Sequence, residues 1–151
     1  AELESDIVFH ARGRSHGADR NWDTDAWEQL IQRLTDRGLK LNSIGLTRAT
    51  ADVQGDFRDL RDIPLAQTMD VIASAKLVIG PSSGPIHLAS LCGAPHLVWT
   101  DREKYAHGIV NRDKYERLWN PFGTPAEVID HMGFSPSVDL VDESIQRLLD
   151  R

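Results

Sequence analysis

The chain has 151 residues, of which 40% are hydrophobic and 26% charged, a composition typical of one folded domain with a substantial core. Its 17 basic and 23 acidic side chains give a net charge of −6, which argues against nucleic-acid binding, because nucleic-acid-binding domains are usually basic. A local cluster of basic residues could still bind a small anion.

The first third of the chain predicts two strands with a helix between them. Residues 7–10 form an apolar run that indicates a buried strand, and residues 39–45 indicate a second one. Asp23 or Thr24 can cap the helix, and Gly38 is its natural end. The inward face of this helix is predicted to consist of Ala26, Trp27, Leu30, Ile31 and Leu34.

The rest of the chain continues the alternation. Residues 64–75 predict a helix, 76–80 a strand, 83–93 a helix and 95–99 a strand, whereas residues 100–133 read as loop. The first of these helices is expected to turn inward Leu65, Met69, Ile72 and Ala73. The last helix carries an apolar stripe made of Val138, Val141, Ile145, Leu148 and Leu149.

This alternation predicts the fold class. Strands that alternate with helices, and central strands that are continuous apolar runs, indicate a parallel sheet covered on both faces. We therefore predict a doubly wound α/β fold, a single Rossmann-like domain over residues 1–151 with a mainly parallel sheet and helices on both faces. The runs at 7–10, 77–80 and 96–99 are expected to be its neighbouring central strands. Ligands of such sheets bind beyond the carboxyl ends of the strands, which makes candidates of the loops at residues 11–21, 45–50, 80–86 and 100–107.

The stretch "GPSSGPIH" after the third apolar run has the features of an anion-binding helix start. The first turn of a helix offers backbone N–H groups and the positive end of the dipole, and phosphate binds there readily. Gly84 allows close approach, and Pro85 supplies helical geometry without wasting a donor. Ser82, Ser83 and His87 add side-chain donors. The alternative is purely structural, with Ser82 or Ser83 as a helix cap and His87 as a semi-buried histidine.

A basic loop follows the first apolar run. The sequence "HARGR" contains His10, Arg12 and Arg14, and Arg20 is nearby. Arginine binds phosphate oxygens through two N–H groups at once, and the carboxyl end of a strand is a suitable place for it. Arg12 is the arginine that we most expect to bind phosphate. The alternative is a solvated basic loop.

Other catalytic and cofactor motifs are missing from the sequence. The six histidines show no metal-ligand spacing, and one cysteine cannot form a thiolate site, so we expect no metal and no cofactor. The absence of Gly-x-Gly-x-x-Gly after the first strand argues against an NAD domain. No Gly-x-Ser-x-Gly motif occurs either, so Ser82 and Ser83 lack the context of a hydrolase nucleophile.

The stretch "ASAKLVIGPSSGPIHLASLCGAP" resembles the donor-binding segment of GT-B glycosyltransferases, most of all glycosyltransferase family 9, the ADP-heptose:lipopolysaccharide heptosyltransferases. That family has an apolar strand, then Asp-Ser/Thr-Gly-Pro-Met-His-Leu-Ala and Gly-Val-Pro. Further stretches resemble the family in the same order, namely "RNWDTDAWEQLIQRLTDRGLKLNSIG", "DLRDIPLAQTMDVIASA" and "RLWNPFG". The resemblance covers most of the chain. The "DTD" at residues 23–25 matches the metal motif of another glycosyltransferase fold, but it opens a helix, where acidic residues complement the dipole, so we interpret it as a cap.

The resemblance implies the C-terminal half of a GT-B enzyme, which binds a nucleoside-diphosphate sugar without metal. The residues expected to hold the donor and its phosphates are Arg12, Arg20, Ser82, Ser83, Gly84, Pro85, Ile86 and His87. By analogy of position, the nucleotide base is expected against Leu46, Thr47, Asp62 and Ile63. Two positions depart from the family: Ser82 replaces an Asp associated with the donor sugar, and Arg20 replaces a Lys. Phosphate binding survives the second exchange more easily than sugar recognition survives the first.

The resemblance also sets the expected partners. The family's catalytic base lies in an N-terminal domain that we expect to be absent here, so the chain alone should hold no catalytic residue and transfer no sugar. Its partners would be a nucleotide sugar and an N-terminal GT-B domain or partner chain. Cys92 is the only cysteine, and no stretch approaches the roughly 20 apolar residues of a membrane span. Both observations fit a cytoplasmic enzyme of lipopolysaccharide biosynthesis that associates at most peripherally with the inner face of the membrane.

Two alternatives to the transferase stay open. One is a non-catalytic nucleotide-sugar-binding or scaffold domain, which the serine at position 82 favours. The other is a sugar-nucleotide epimerase-like domain, whose helix would carry an acidic residue near its start, where residues 86–88 supply none.

Overall fold

The computed structural model describes residues 3–101, 120 and 122–151. The strands in this part of the chain are β1 (Ile7–Phe9), β2 (Leu41–Ser43), β3 (Arg58–Asp59), β4 (Leu77–Pro81), β5 (His96–Trp99) and β6 (Ala126–Ile129). The α-helices are α1 (Thr24–Asp36), α2 (Leu65–Ser74), α3 (Gly84–Leu91) and α4 (Val138–Leu149). Two 3-10 helices, Ala18–Arg20 and Thr47–Ala49, lie in the loops after β1 and β2.

The strands form one sheet in the order β3-β2-β1-β4-β5-β6, and every pair is parallel. Ile7 pairs with Leu77, and Val78 pairs with His96, so β1, β4 and β5 are neighbours as predicted. The predicted fold class is therefore confirmed. The chain first builds outward from β1 to β3 and then crosses to β4 on the other side. Such a reversal leaves a crevice at the carboxyl ends of β1 and β4, the usual ligand position in these folds.

Helices cover both faces of the sheet. Phe9, Ile79 and Trp99 point to the face covered by α1 and α4, and they belong to the larger apolar core. Alternate strand residues such as Val8 and Val78 point to the other face, where α2 and α3 pack. Strands buried on both faces explain why the sequence shows continuous apolar runs instead of an alternating pattern. No helix in the described residues is long and apolar enough to cross a membrane.

The prediction for the inward face of α2 is wrong except at Ile72. Val71 and Ile72 are buried, whereas Leu65 is 67% and Met69 40% exposed, and Ala73 also faces outward. Because α2 is apolar on several sides, the helical period alone allowed more than one inward face. Packing against the sheet selects the face of Val71, and it leaves the first turn of α2 projecting beyond the strand ends.

Strand β6 is a second correction, since residues 100–133 were expected to be loop. Ala126–Ile129 pairs in parallel with β5 at the sheet edge. The strand is only four residues long and includes Glu127, which forms an ion pair with Arg147 of α4. A short edge strand with a charged residue has no continuous apolar run, so the pattern that revealed β1, β4 and β5 was absent here.

The predicted start of α1 is confirmed. Asp23 is the N-cap, and its carboxylate accepts a hydrogen bond from the backbone N–H of Asp25 at 3.3 Å. The interpretation of "DTD" as a helix cap therefore agrees with the structure.

Trp27 lies at the centre of an aromatic cluster in the larger core. It is fully buried, and its ring centroid is 4.9 Å from that of Trp22, 5.4 Å from Phe9 and 5.5 Å from Trp99. We predict that Trp27→Ala lowers the free energy of unfolding by about 3–5 kcal/mol, because it leaves a large cavity between α1 and the sheet. Urea denaturation, monitored by circular dichroism, measures this free energy of unfolding. Exposed Leu65→Ala is the control, expected to change stability by under ~0.5 kcal/mol. A loss near that of the control would contradict the central place of Trp27.

Candidate functional site

The candidate site is a cavity of about 720 Å³ at the carboxyl ends of β1, β2 and β4. This size suits a small organic ligand. The lining residues come from three of the four predicted loops and from α2 and α3: His10, Arg12, Arg14, Arg20, Gly45, Leu46, Ala49, Ile63, Leu65, Thr68, Ser82, Ser83, Gly84, Pro85, His87 and Leu88. The fourth predicted loop, residues 100–107, lies outside the described residues beyond 101.

The N-terminus of α3 opens into this cavity. Ser83 is its N-cap residue, and no side chain caps this end of the helix. A Cβ added at Gly84 would meet no heavy atom within 4 Å, so the first helical residue faces open space. The first turn of α3 contains no acidic residue, and no side chain accepts a hydrogen bond from its leading N–H groups, such as that of Gly84. Neither serine side chain caps α3 as the structural alternative expected, whereas His87 is semi-buried, as that alternative expected.

Both serines are instead paired with histidines. The Oγ of Ser83 lies 3.0 Å from Nδ1 of His10, and the Oγ of Ser82 lies 3.5 Å from Nε2 of His87. The first pair joins the end of β1 to the start of α3, and the second pair joins the end of β4 to the first turn of the same helix. Both hydroxyls face histidine rings in this geometry, and neither accepts a hydrogen bond from the start of α3.

His10 and His87 are both held in the neutral form. Burial lowers the pKa of His10 to about 4, and the nearby positive charge of Arg12 lowers it further in the same direction. Burial also lowers the pKa of His87 to about 4, with a smaller contribution from His96. A neutral imidazole keeps one donor and one acceptor nitrogen, so each ring can donate a hydrogen bond to its serine hydroxyl or accept one from it.

Two glycines leave room for His10. Gly45 has a φ of +114°, and a Cβ at this position would lie 2.7 Å from the His10 ring. A Cβ at Gly80 would lie 3.0 Å from the carbonyl oxygen of His10 and 2.9 Å from Ile86. A side chain at Gly45 would clash with the His10 ring, and one at Gly80 would press tightly against the His10 backbone and displace Ile86. The backbones of three strand ends can therefore converge on His10 only with glycine at these positions.

Arg12 lines the cavity, but its guanidinium is turned into its own loop. It is 5% exposed and donates hydrogen bonds to the carbonyl oxygens of Gly17, at 2.8 Å, and His16, at 2.9 Å, and to the side-chain oxygen of Asn21. These bonds use much of the donor capacity that the sequence analysis assigned to phosphate. Arg12 thus holds the loop after β1 in shape.

Arg20 and Arg14 are the other two arginines of the cavity lining. The Arg20 guanidinium lies over the ring of Phe134, 5.9 Å from its centroid. Arg14 is exposed and was named in the sequence analysis, although it was left out of the expected donor residues. Its position in a basic loop at a strand end was the signal that could have included it.

The residues expected near the nucleotide base divide into two pairs. Leu46 and Ile63 line the cavity, whereas Thr47 and Asp62 do not. Asp62 accepts hydrogen bonds from the backbone N–H of Thr47, at 2.8 Å, and from its hydroxyl. These bonds lower the pKa of the Asp62 carboxyl. Asp62 has a φ of +64°, and its pairing with Thr47 ties together the loops that carry Leu46 and Ile63.

The prediction for Ile86 needs a similar correction. The whole residue is buried in the core beneath α3, and it does not line the cavity. The expected phosphate-binding residues Ser82, Ser83, Gly84 and His87 do line the cavity, together with Pro85.

A buried polar network that the sequence analysis missed holds the far end of α3. The hydroxyl of Ser90 donates to the side-chain oxygen of Asn120 at 2.7 Å, and the Asn120 amide donates to the carbonyl oxygen of Thr124 at 2.7 Å. The Thr124 hydroxyl donates back to the carbonyl oxygen of Ser90 at 2.7 Å. Asn120 stands in the quoted stretch "RLWNPFG", but its partner on α3 is 30 residues away and could not be read from the sequence.

Metal-binding groups are not apparent in the part of the chain that the structure describes. No three His, Cys, Asp or Glu side chains there are grouped closely enough to hold a metal ion. The arrangement at the cavity offers hydrogen-bond donors and positive charge, which suit an anionic ligand.

Comparison with known proteins identifies the family. The model of "Glycosyltransferase family 9 (heptosyltransferase)" matches residues 5–98, which include β1 to β4, α1 to α3 and most of β5. The chain belongs to glycosyltransferase family 9. No curated protein sequence matches it significantly.

Solved structures of family 9 enzymes share the fold. A family 9 glycosyl transferase from Veillonella parvula superposes with a TM-score of 0.75 at 15% identity, covering 99% of this chain and 47% of that one. The E. coli heptosyltransferase WaaC with ADP gives a TM-score of 0.73 at 17% identity, covering 98% and 45%. E. coli ADP-heptose lps heptosyltransferase II gives a TM-score of 0.63 at 20% identity, covering 97% of this chain and 45% of that one. This family 9 chain therefore spans about half the length of the solved structures it matches.

The buried histidines predict how the stability of this family 9 domain depends on pH. His10 has a pKa of about 4 in the folded chain and about 6.5 when unfolded, so the unfolded state binds more protons between these values. The stabilisation is complete above pH 6.5 and is lost as the pH falls to 4, on the order of 3 kcal/mol. Asp59, with a pKa of about 2, titrates below this window. Denaturant titrations at pH 7, 5.5 and 4.5 measure how steeply the free energy of unfolding depends on pH.

The matched variant is His10→Gln, which removes the titrating ring. Its free energy of unfolding should vary less between pH 6.5 and 4 than that of the wild type, with His87 supplying the remaining slope. An identical slope in both proteins would contradict the assignment of a neutral, buried His10.

Proposed function

We propose that this chain is the donor-binding domain of a GT-B glycosyltransferase. A nucleoside-diphosphate sugar binds in the cavity with its diphosphate at the N-terminus of α3. The observation that carries this proposal is the uncapped start of α3, which opens into the cavity because Ser82 and Ser83 are paired with histidines. Free backbone amides and the helix dipole together favour a phosphate at this place.

The side chains around this helix end complement a diphosphate. His87 and Ser83 present polar atoms beside Gly84, where no side chain obstructs the approach of an oxygen atom. Arg20 also lines the cavity and supplies positive charge. In transfer, the bond between the anomeric carbon and the diphosphate breaks, and the departing nucleoside diphosphate gains negative charge. Fixed N–H groups and arginines stabilise that charge without a metal ion.

The nucleotide base fits the apolar side of the same cavity. Leu46, Ile63, Leu65 and Leu88 line it, and the first two are held in place by the contact between their neighbouring residues. Leu65 is two-thirds exposed, so its apolar side chain is accessible to a base that enters the cavity.

The acceptor and the catalytic base belong to the remainder of the intact enzyme in this proposal. An acceptor hydroxyl replaces the nucleoside diphosphate at the sugar, and its proton passes to a base of an N-terminal domain or partner chain. Two of the similar solved structures are E. coli heptosyltransferases, one of them in complex with ADP. We therefore place the domain in cytoplasmic lipopolysaccharide biosynthesis, at or near the inner face of the membrane.

A non-catalytic nucleotide-sugar-binding domain is the second candidate. The observation that favours it is Ser82, since neither this residue nor any other described residue lining the cavity is a carboxylate that could bind sugar hydroxyls. The epimerase-like alternative gains no such support, because the first turn of α3 has no acidic residue.

Substitutions at the start of α3 test the binding site. Gly84→Val places a branched side chain where the phosphate oxygens would meet the backbone, and the surrounding space is open enough for the fold to tolerate it. His87→Ala removes a hydrogen bond to a charged group. Each change should weaken nucleoside-diphosphate binding roughly ten- to a hundred-fold. Calorimetric titration with ADP, GDP, UDP and CDP measures this.

Asp25→Ala is the control, because Asp25 lies in the first turn of α1 and outside the cavity lining. It should leave nucleotide affinity unchanged. If Gly84→Val and His87→Ala remain folded and bind as the wild type does, the helix end is not the phosphate site and the proposed function is wrong.

A further inference from the structure

We infer that Arg14 is the arginine that contacts the diphosphate, and that Arg12 and Asn21 serve to present it. This inference rests on the proposed function, since it assigns a residue to the same cavity. It differs from the sequence-based expectation, which gave the phosphate to Arg12 and Arg20.

The Arg12 guanidinium is already hydrogen-bonded within its own loop. It is buried beneath the loop after β1 and donates to the carbonyl oxygens of His16 and Gly17. Gly17 adopts the left-handed conformation, with a φ of +66°, and a Cβ there would lie 3.2 Å from the Arg12 guanidinium. The loop is thus wrapped around Arg12, so turning this side chain toward a ligand would break the loop's internal hydrogen bonds.

The Asn21 side chain links Arg12 to Arg14 by hydrogen bonds. The side-chain oxygen of Asn21 accepts from the Arg12 guanidinium and from the backbone N–H of Arg14, the latter at 3.2 Å. The Asn21 amide donates to the carbonyl oxygen of Arg14 at 2.9 Å. Both backbone polar groups of Arg14 are therefore fixed by one side chain. The position of the Arg14 Cα is set while its side chain is left out of the network.

The surroundings of the Arg14 guanidinium differ from those of the Arg12 and Arg20 guanidinium groups. Arg14 lines the cavity and is exposed, and among the described residues its guanidinium has no carboxylate, carbonyl or aromatic partner. Arg20 differs, because its guanidinium lies over Phe134. A side chain with a fixed backbone, five N–H donors and no protein partner is suited to two phosphate oxygens. In the lining of this cavity, Arg14 meets that description.

The experiment compares Arg14→Ala and Arg14→Lys with Arg48→Ala in the 151-residue chain. Arg48 is an exposed arginine of the loop after β2 that does not line the cavity, so it controls for the loss of one positive charge. ADP is the first probe, and GDP, UDP and CDP complete the panel. Calorimetry at two salt concentrations gives the affinity, and thermal denaturation reports the fold.

Arg14→Ala should weaken binding roughly ten- to a hundred-fold with an unchanged melting temperature. The affinity of Arg14→Lys should lie between those of Arg14→Ala and the wild type, because lysine keeps the charge but cannot bind two oxygens in the bidentate geometry of arginine. Arg48→Ala should stay within about twofold of the wild type. Arg12→Ala should lower both affinity and melting temperature, since it removes the support of the loop.

The outcomes separate the inference from the function on which it rests. If the wild-type chain binds a nucleoside diphosphate and Gly84→Val abolishes binding, while Arg14→Ala binds like the wild type, the proposed function stands and the role of Arg14 is refuted. If Arg14→Ala and Arg48→Ala weaken binding equally, Arg14 contributes only general charge and the inference is also wrong. If no member of the panel binds the wild type, both the function and the inference fail.

Discussion

The hydrogen bond between His10 and Ser83 is the interaction on which the candidate site depends. It crosses the point where the sheet order reverses, joining the end of β1 to the start of α3. Because the Ser83 hydroxyl is engaged with the histidine, it does not cap the helix, and the backbone amides stay open to the cavity. Burial keeps His10 neutral, so the ring can accept or donate without bringing a charge into the core. Gly45 and Gly80 make this convergence of three strand ends possible.

Hydrogen bonds hold the other elements around the cavity, α3 and the loop after β1, in place. The Ser90, Asn120 and Thr124 network fixes α3 from behind, while the histidine contacts fix it in front. The loop after β1 is folded around the Arg12 guanidinium. A site held this way places its donors before a ligand arrives, which lowers the entropic cost of binding. A chain of net charge −6 can still offer a locally positive cavity, because arginines gather around it and its described lining residues include no carboxylate.

The sequence predicted the sheet because buried parallel strands leave continuous apolar runs, and it predicted the α3 site because glycine and proline mark a helix start. It failed where the signal was absent or ambiguous. Strand β6 is short and carries Glu127, so it shows no such run. Helix α2 is apolar on several sides, so Leu65 was assigned inward although it lines the cavity. The contacts that decide the role of each polar residue, such as Ser83 with His10 across 73 positions, depend on the folded topology and leave no local pattern.

Amide chemical shifts of the ¹⁵N-labelled chain, recorded as ADP is added, test most directly whether α3 binds a diphosphate. The account predicts that the largest saturating changes occur at the amides of Ser83, Gly84, Ile86 and His87, with smaller ones at Leu46 and Ile63. A second cavity of about 630 Å³, at the amino ends of β4, β5 and β6 beside Lys76, His96 and Arg151, should show little change. Changes that concentrate at that second cavity, or that leave Gly84 and Ile86 unaffected at saturation, would contradict it.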